Sequence, residues 1–219
     1  MLKKPVCRTQ DILDLIPDGA SLLVGGFLGV GAPTRIIDAL IKGGRKNLTV
    51  ITNDTARPDV GVGRLIKAKC VRKLYASHIG TNIETQKQML SGELDVELVP
   101  QGTLVERIRA HGYGLGGVLT KTGLGTMVAE GKRVIEILGE DWLLDTPLGA
   151  DFALVHTKLA DAAGNLNYEF TADNFNGVMA MAGKVVIADA DEILPIGGMS
   201  PDEVNTPGVI VDYLFRGDV

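Results

Sequence analysis

Cysteine is scarce in this sequence: two in 219 residues, Cys7 and Cys70. Neither belongs to a C-x-x-C pair, and no histidine stands at zinc-ligand spacing. That spacing builds neither a disulfide framework nor a structural zinc site, and the low count fits a reducing cytoplasm. Long apolar runs are missing as well; no stretch reaches the roughly 18 apolar residues of a membrane-spanning helix. The N-terminal Met1-Leu2-Lys3-Lys4-Pro5 has lysines but no apolar core behind them, so it does not read as a secretory signal. There is no excess of positive charge either: 22 Lys and Arg against 27 Asp and Glu leave a net charge of −5. A nucleic-acid groove would need a basic face. An anionic ligand is still allowed, because backbone amides and a few cations can hold one. The class that remains is a cytoplasmic protein without nucleic-acid or membrane partners.

Glycine is what the chain has in excess, 28 of 219 residues, which points to many tight loops. Hydrophobic residues make up 45% and charged residues 22%, as in ordinary globular proteins. The length is enough for a sizeable core. No repeat, linker or low-complexity tract divides it, so a single domain over 1–219 is the simplest expectation.

The glycines concentrate in Gly25-Gly26-Phe27-Leu28-Gly29-Val30-Gly31, behind the apolar Leu22-Leu23-Val24 and ahead of Pro33-Thr34. The apolar triplet reads as the end of a buried strand, and Pro33-Thr34 opens a run with helical spacing. Glycine adopts positive φ freely and lets a ligand approach the backbone. A strand, a glycine loop and a helix start therefore make a place where N–H groups meet an anion or oxyanion. The G-G-x-x-G-x-G spacing of this loop is not the dinucleotide G-x-G-x-x-G, and no Gly-Lys-Ser/Thr follows it as in a P-loop.

Strands are expected at 21–24, 48–52, 71–77, 95–99, 153–156 and 185–188. Helices are expected at 10–16 with Thr9 as cap, along the Ile36-Ile37-Leu40-Ile41 stripe to the Gly43-Gly44 stop, and around Leu65 and Ile66. Thr81-Asn82-Ile83-Glu84 and Thr103-Leu104-Val105-Glu106 match capping boxes, with helices running to about 90 and 110. Residues 175–182 read as helical, 112–126 as a long loop, 134–138 with 142–144 as a β-hairpin, and Ser200 as the cap of a short turn. Strands alternating with helices over 20–110 argue for an α/β fold: an open, mostly parallel sheet with helices on both faces and a small β-hairpin insertion. Asn53, Asn82 and Gln101 then fall at strand–helix elbows on the edge of the sheet where ligands bind. Gln101 is the first candidate side-chain donor to a ligand, although a glutamine at such an elbow equally serves the surface or stabilises a turn. Asn53 and Asn82 are substrate-binding candidates, although asparagine at such places equally caps helices and turns.

Asp18-Gly19, Leu22-Leu23-Val24-Gly25-Gly26-Phe27, Gly31 and Pro33 together resemble the N-terminal signature of family I coenzyme A transferases, specifically the alpha subunit of the bacterial acetate/acetoacetate/butyrate type. The likeness continues through Ile51-Thr52-Asn53-Asp54-Thr55, Ser77-His78-Ile79-Gly80-Thr81-Asn82, Pro100-Gln101-Gly102-Thr103, Gly114-Leu115-Gly116-Gly117-Val118-Leu119-Thr120 and Asn174-Phe175-Asn176, over nearly the whole chain.

The resemblance implies ping-pong CoA transfer between short-chain carboxylic acids through a glutamyl-CoA thioester, with the CoA thioester as substrate and no permanently bound cofactor. It places CoA at Gly25–Gly31 and an oxyanion-hole glutamine at Gln101. The nucleophilic glutamate of the family lies in Ser-Glu-Asn-Gly, which this sequence lacks. The resemblance puts it on a beta subunit, and implies a heterotetramer with two of each chain. Without that partner, Glu84 would be the best nucleophile here, while Glu93 and Glu106 are further carboxylates near the elbows. His78, His111 and His156 are scattered, and carboxylate exchange gives none of them a catalytic role. A succinyl-CoA:3-oxoacid transferase subunit and a non-catalytic CoA- or ligand-sensing module are the alternatives.

Overall fold

A computed structural model describes residues 3–217; Met1 and Leu2 of the N-terminal stretch, with residues 218 and 219, lie outside the described residues. In chain order the elements are β1 (Val6–Cys7), α1 (Thr9–Leu15), β2 (Ser21–Val24), α2 (Thr34–Lys42), β3 (Leu48–Thr52), α3 (Val62–Lys67), β4 (Val71–Ala76), α4 (Ile83–Ser91) and β5 (Asp95–Leu98). Then come α5 (Gln101–Gly112), β6 (Val118–Thr120), β7 (Arg133–Ile137), β8 (Glu140–Asp145), β9 (Ala150–Asp161), β10 (Leu166–Asn167), α6 (Asn176–Ala180), β11 (Gly183–Leu194) and β12 (Tyr213–Phe215).

The main sheet runs β1-β12-β11-β9-β2-β3-β4-β5. Every pair along that order is parallel, and β10 adds to β9 antiparallel. β2 lies in the middle, and Leu22, Leu23 and Val24 are all fully buried, as a strand covered on both faces requires. Alternation divides them. Leu22 and Val24 join a core with Ile12 of α1, Ile36, Ile37 and Leu40 of α2 and Leu65 of α3. Leu23 faces the opposite core, with Leu104 and Ile108 of α5 and Met179 of α6. Helices therefore cover both faces, as the strand–helix alternation predicts.

Chain direction creates a crevice. From β2 the chain steps outward through β3 and β4 to β5, then returns to place β9 on the other side of β2. Ligands of open parallel sheets bind where the strand order reverses in this way, beyond the carboxyl ends of the strands. The glycine loop leaves β2 at that point.

Several local expectations change. α1 starts at Thr9, with Arg8 as the cap residue, whose N–H donates to Asp11 Oδ2 at 2.7 Å. Asn82, not Thr81, caps α4. α5 begins at Gln101 rather than at the Thr103 box, because Leu104 N–H already reaches Pro100 O at 2.8 Å. Glu106 turns along the helix to Arg109 instead of back to the cap. The loop expected over 112–126 contains β6, which pairs with β8, so the hairpin is a three-stranded antiparallel sheet. β9 and β11 are 12 residues each, far longer than the four-residue apolar runs within them. They pair with one another from Ala150–Gly183 to Asp161–Leu194, and that ladder carries the strands past their apolar centres. The edge strands β1 and β12 have no period-2 run to announce them. α6 is shorter than expected, ending at Ala180.

Candidate functional site

The glycine loop continues β2 for one residue, with Gly25 N–H donating to Leu154 O of β9 at 2.9 Å. Phe27 and Val30 then exchange both backbone hydrogen bonds, at 2.9 and 3.0 Å. They close a two-residue turn whose central residues, Leu28 (φ 49°) and Gly29 (φ 89°), both have positive φ. With these bonds made, the amides of Gly26, Gly29 and Gly31 are the loop donors without an intrachain acceptor among the described residues. Gly25 and Gly26 are buried, and the turn exposes Leu28 and Val30.

Two buried polar side chains hold the loop. Asn176, fully buried at the start of α6, accepts from His156 N–H at 3.1 Å and donates to Gly31 O at 3.0 Å and Ala172 O at 2.8 Å. A Cβ on Gly25 would lie 1.8 Å from Asn176 Oδ1, so the close approach requires glycine there. Asp54, just past β3, accepts Leu28 N–H at 2.9 Å and Asn53 Nδ2 at 2.8 Å on Oδ2, and Ala56 N–H at 2.7 Å on Oδ1.

Asn53 is buried beside it. Its Oδ1 accepts Gln101 Nε2 at 2.7 Å and Ser77 Oγ at 3.1 Å. Gln101 is exposed, on the first turn of α5, and keeps one amide hydrogen and its Oε1 for the cleft. The structure thus joins the glycine loop, Asp54, Asn53 and Gln101 in one continuous chain of hydrogen bonds across β2, β3, β4 and β5. Asn82 stands apart from it. Fully buried, it accepts Glu84 N–H at 3.1 Å and Thr85 N–H at 3.2 Å, and donates to Thr55 O at 2.8 Å, bracing the segment that follows Asp54.

The carboxylates considered as nucleophiles are tied down elsewhere. Glu84 accepts Gln88 Nε2 at 2.8 Å along α4, Glu93 pairs with Lys69 at 2.6 Å, and Glu106 pairs with Arg109 at 3.1 Å. His78 is exposed after β4, and the His111 ring fills the space over Gly149. His156 Nε2 lies 3.3 Å from Asp191 Oδ1. No group of His, Cys, Asp and Glu suited to a metal ion exists among the described residues. No helix among them is long and apolar enough to cross a membrane.

Behind the loop, Arg35 on the first turn of α2 donates from Nε to Asp189 Oδ1 at 2.6 Å, from its backbone N–H to Asp189 Oδ2 at 3.0 Å and from Nη2 to Asp191 at 3.0 Å. Burial pushes the Asp189 carboxyl above its ordinary value, against the pull of Arg35. A cavity of about 190 Å³ lies alongside, lined by Val30, Gly31, His156, Lys158, Phe170 and Asp191 among others.

Sequence reasoning named the loop, Asn53 and Gln101 as candidates, and the fold brings them together, but it gave no role to Asp54 or Asn176. Both sit inside the sequence runs quoted above. Their function as braces depends on contacts 26 and 145 residues away, which no local pattern encodes.

Over residues 8–217 the chain matches the family model described as Coenzyme A transferase. It is 47% identical over 214 residues to the acetate CoA-transferase subunit alpha of Escherichia coli (strain K12), covering 98% of this chain and 97% of that one. It is likewise 47% identical over 215 residues to the acetoacetyl-CoA:acetate/butyrate CoA transferase alpha subunit of Clostridium acetobutylicum, covering 98% of this chain and 99% of that one. The acyl-CoA transferase of Escherichia coli O157:H7, solved as a thioester complex with CoA, shares the fold, with a TM-score of 0.85 at 21% identity. That match covers 97% of this chain but 47% of the solved one, so the chain spans about half its length.

Proposed function

Because this chain belongs to the coenzyme A transferase family, we propose that it is the alpha subunit of an acetate/acetoacetate/butyrate-type CoA transferase. The observation that carries this is 47% identity, over nearly the full length of both chains, to two alpha subunits so named. The reaction exchanges CoA between carboxylic acids in a ping-pong cycle. A glutamate of a partner beta subunit attacks the acyl-CoA carbonyl, the C–S bond breaks, and CoA thiolate leaves behind a mixed anhydride. The thiolate then adds to the glutamyl carbonyl, the acyl acid departs, and a glutamyl-CoA thioester remains. The incoming acid runs the same steps in reverse. A carboxylate suits the role because it serves as both nucleophile and leaving group.

Each tetrahedral species in that cycle carries an oxyanion. In this reading the chain supplies its donors: the free amide hydrogen of Gln101, and the amides of Gly26, Gly29 and Gly31 toward the CoA thioester. Donors of this kind are worth about 2.7–4 kcal/mol each. Asn53 acts by orienting Gln101, and Asn82 by bracing the 53–55 segment. The engagement of Glu84 and Glu106 along their helices, and of Glu93 with Lys69 in the bend after α4, supports a nucleophile on another chain. An assembly of two alpha and two beta subunits in the cytoplasm, with no permanently bound cofactor, completes the proposal.

The test is co-expression with a beta subunit, followed by assay of acetyl-, butyryl- and succinyl-CoA against acetate and acetoacetate. Borohydride reduction of the CoA-loaded enzyme and mass spectrometry locate the thioester. The expected label is a glutamate of the partner. Turnover by this chain alone, or a label on Glu84, overturns the division of labour. A strong preference for succinyl-CoA moves the assignment to the 3-oxoacid type.

A further inference from the structure

We propose that Asp54 is a positioning residue that locks the glycine loop and the Gln101 amide into one geometry. The inference rests on the transferase reading above and deepens it. Asp54 is 6% exposed, and its Oδ2 takes two donors from opposite sides, Leu28 N–H at 2.9 Å and Asn53 Nδ2 at 2.8 Å. The first bond fixes Leu28, a non-glycine residue at φ 49°, at the turn that leaves the Gly29 amide free. The second fixes which end of the Asn53 amide points where. A carboxylate only accepts, so Asn53 must present its NH₂ to Asp54 and its oxygen to Gln101. Gln101 must then answer with Nε2, at 2.7 Å. One buried oxygen atom therefore sets both the loop and the donor direction of Gln101. The other oxygen serves only the local turn, through Ala56 N–H at 2.7 Å.

That split makes the role separable by mutation. Asp54→Asn places its amide oxygen toward Leu28 and Asn53 and gives up the Ala56 bond. Asp54→Ser retains a short acceptor for Ala56 N–H but cannot reach Leu28 N–H and Asn53 Nδ2 together. The experiment uses the enzyme assembled with its beta subunit and measures kcat and KM for both variants, alone and combined with Gln101→Ala. Misplacing a reacting group by about 1 Å costs on the order of 10²-fold in rate. The expected result is a 10- to 100-fold loss of kcat in Asp54→Ser at nearly unchanged KM for the acid, with Asp54→Asn within about threefold of the parent. In the Gln101→Ala background the Asp54→Ser loss should shrink several-fold, to the share carried by the glycine loop, since the side-chain donor that Asp54 aims is gone. Equal losses in both backgrounds overturn the inference while leaving the role of Gln101 intact. So does Asp54→Asn falling as far as Asp54→Ser, which would show that charge rather than acceptor placement matters. If Gln101→Ala itself keeps full kcat, the oxyanion role proposed for Gln101 fails, and this inference fails with it.

Discussion

Gln101 Nε2 donates to Asn53 Oδ1 at 2.7 Å, joining residues 48 positions apart. The bond links the helix after β5 to the loop after β3, and it decides what Gln101 offers to a ligand. One of its two amide hydrogens is committed. The other, with Oε1, faces outward from the first turn of α5.

Removing that amide should slow the chemical step more than it weakens binding. Gln101→Ala in the assembled enzyme is expected to lose 10²- to 10³-fold in kcat, the usual effect of deleting one oxyanion donor, with KM for the acid changing little. Gln101→Glu should be at least as slow. Its carboxylate would face Asn53 Oδ1, acceptor against acceptor, and would bring negative charge to a site that stabilises negative charge. Steady-state kinetics check both; a rise in KM at constant kcat would assign Gln101 to ground-state binding instead.

Gly25→Ala should destabilise the fold through Asn176. The new Cβ would fall 1.8 Å from Asn176 Oδ1. Displacing that side chain breaks its bonds to His156 N–H, Gly31 O and Ala172 O inside the protein. Unsatisfied buried groups cost about 1–3 kcal/mol each, so a loss of roughly 3 kcal/mol in urea unfolding is expected. Gly25→Ala combined with Asn176→Ala removes the clash along with the brace, so the pair should cost less than the sum of the singles.

The sheet was legible because β2 and β3 are mostly apolar or β-branched and its helices carry apolar stripes. Leu22–Val24 and Leu48–Thr52 announce strands covered on both faces, and Ile36, Ile37 and Leu40 announce the helix over them. What stayed hidden depends on partners distant in the chain. The two-residue β1 exists because β12, more than 200 residues later, pairs with it. β6 looked like loop because three residues between glycines show no period, and β8 organises them. At the site, residue type and spacing pointed to the glycine loop and Gln101. Asp54 and Asn176 are short polar residues at element ends, where Asp and Asn ordinarily form turns and caps. Burial against a second segment separates a brace from a turn residue, and burial at a loop is a tertiary property.

Acid should weaken the clamp between β2 and β9 at the ends opposite the site. Asp151 accepts Ser21 Oγ at 2.6 Å and Ser21 N–H at 3.2 Å, and pairs with Lys184 at 2.9 Å. The Ser21 side chain, with Lys184 and the Ser21 backbone, holds its carboxyl down from 3.8 to about 2. A carboxylate depressed in the fold adds stability that is fully present above its unfolded value and is lost as pH falls through the folded one. The loss belongs between about pH 4 and pH 2. Because the side chain is 46% exposed, solvent screening keeps the effect small. Asp151→Asn should flatten the stability–pH curve in that window and leave its shape near neutrality unchanged, as followed by thermal unfolding across pH.

Arg35 and Asp189 should behave in the opposite sense. Asp189 is 1% exposed, and burial raises its carboxyl despite the bidentate contact with Arg35. A carboxyl raised in the fold favours the protonated native state, so its ionisation costs stability as pH rises through the folded value. Arg35 offsets that cost. Arg35→Ala would leave a buried charge with one backbone N–H as its remaining donor from α2; breaking a fully buried pair from one side costs about 3–5 kcal/mol, and the 35% exposure of the Arg35 side chain puts the expected loss below that range. The loss should be largest near neutral pH and shrink toward acid pH as Asp189 takes up a proton. Asp189→Asn removes the charge and retains an acceptor for the Arg35 backbone N–H, so it should cost much less. In Arg35→Ala combined with Asp189→Asn, most of the stability lost by Arg35→Ala alone should return. Urea unfolding at neutral and at acid pH decides the matter. If the combined variant stays as unstable as Arg35→Ala, the loss comes from the packing of the arginine stem beside Gly217 rather than from the stranded carboxylate.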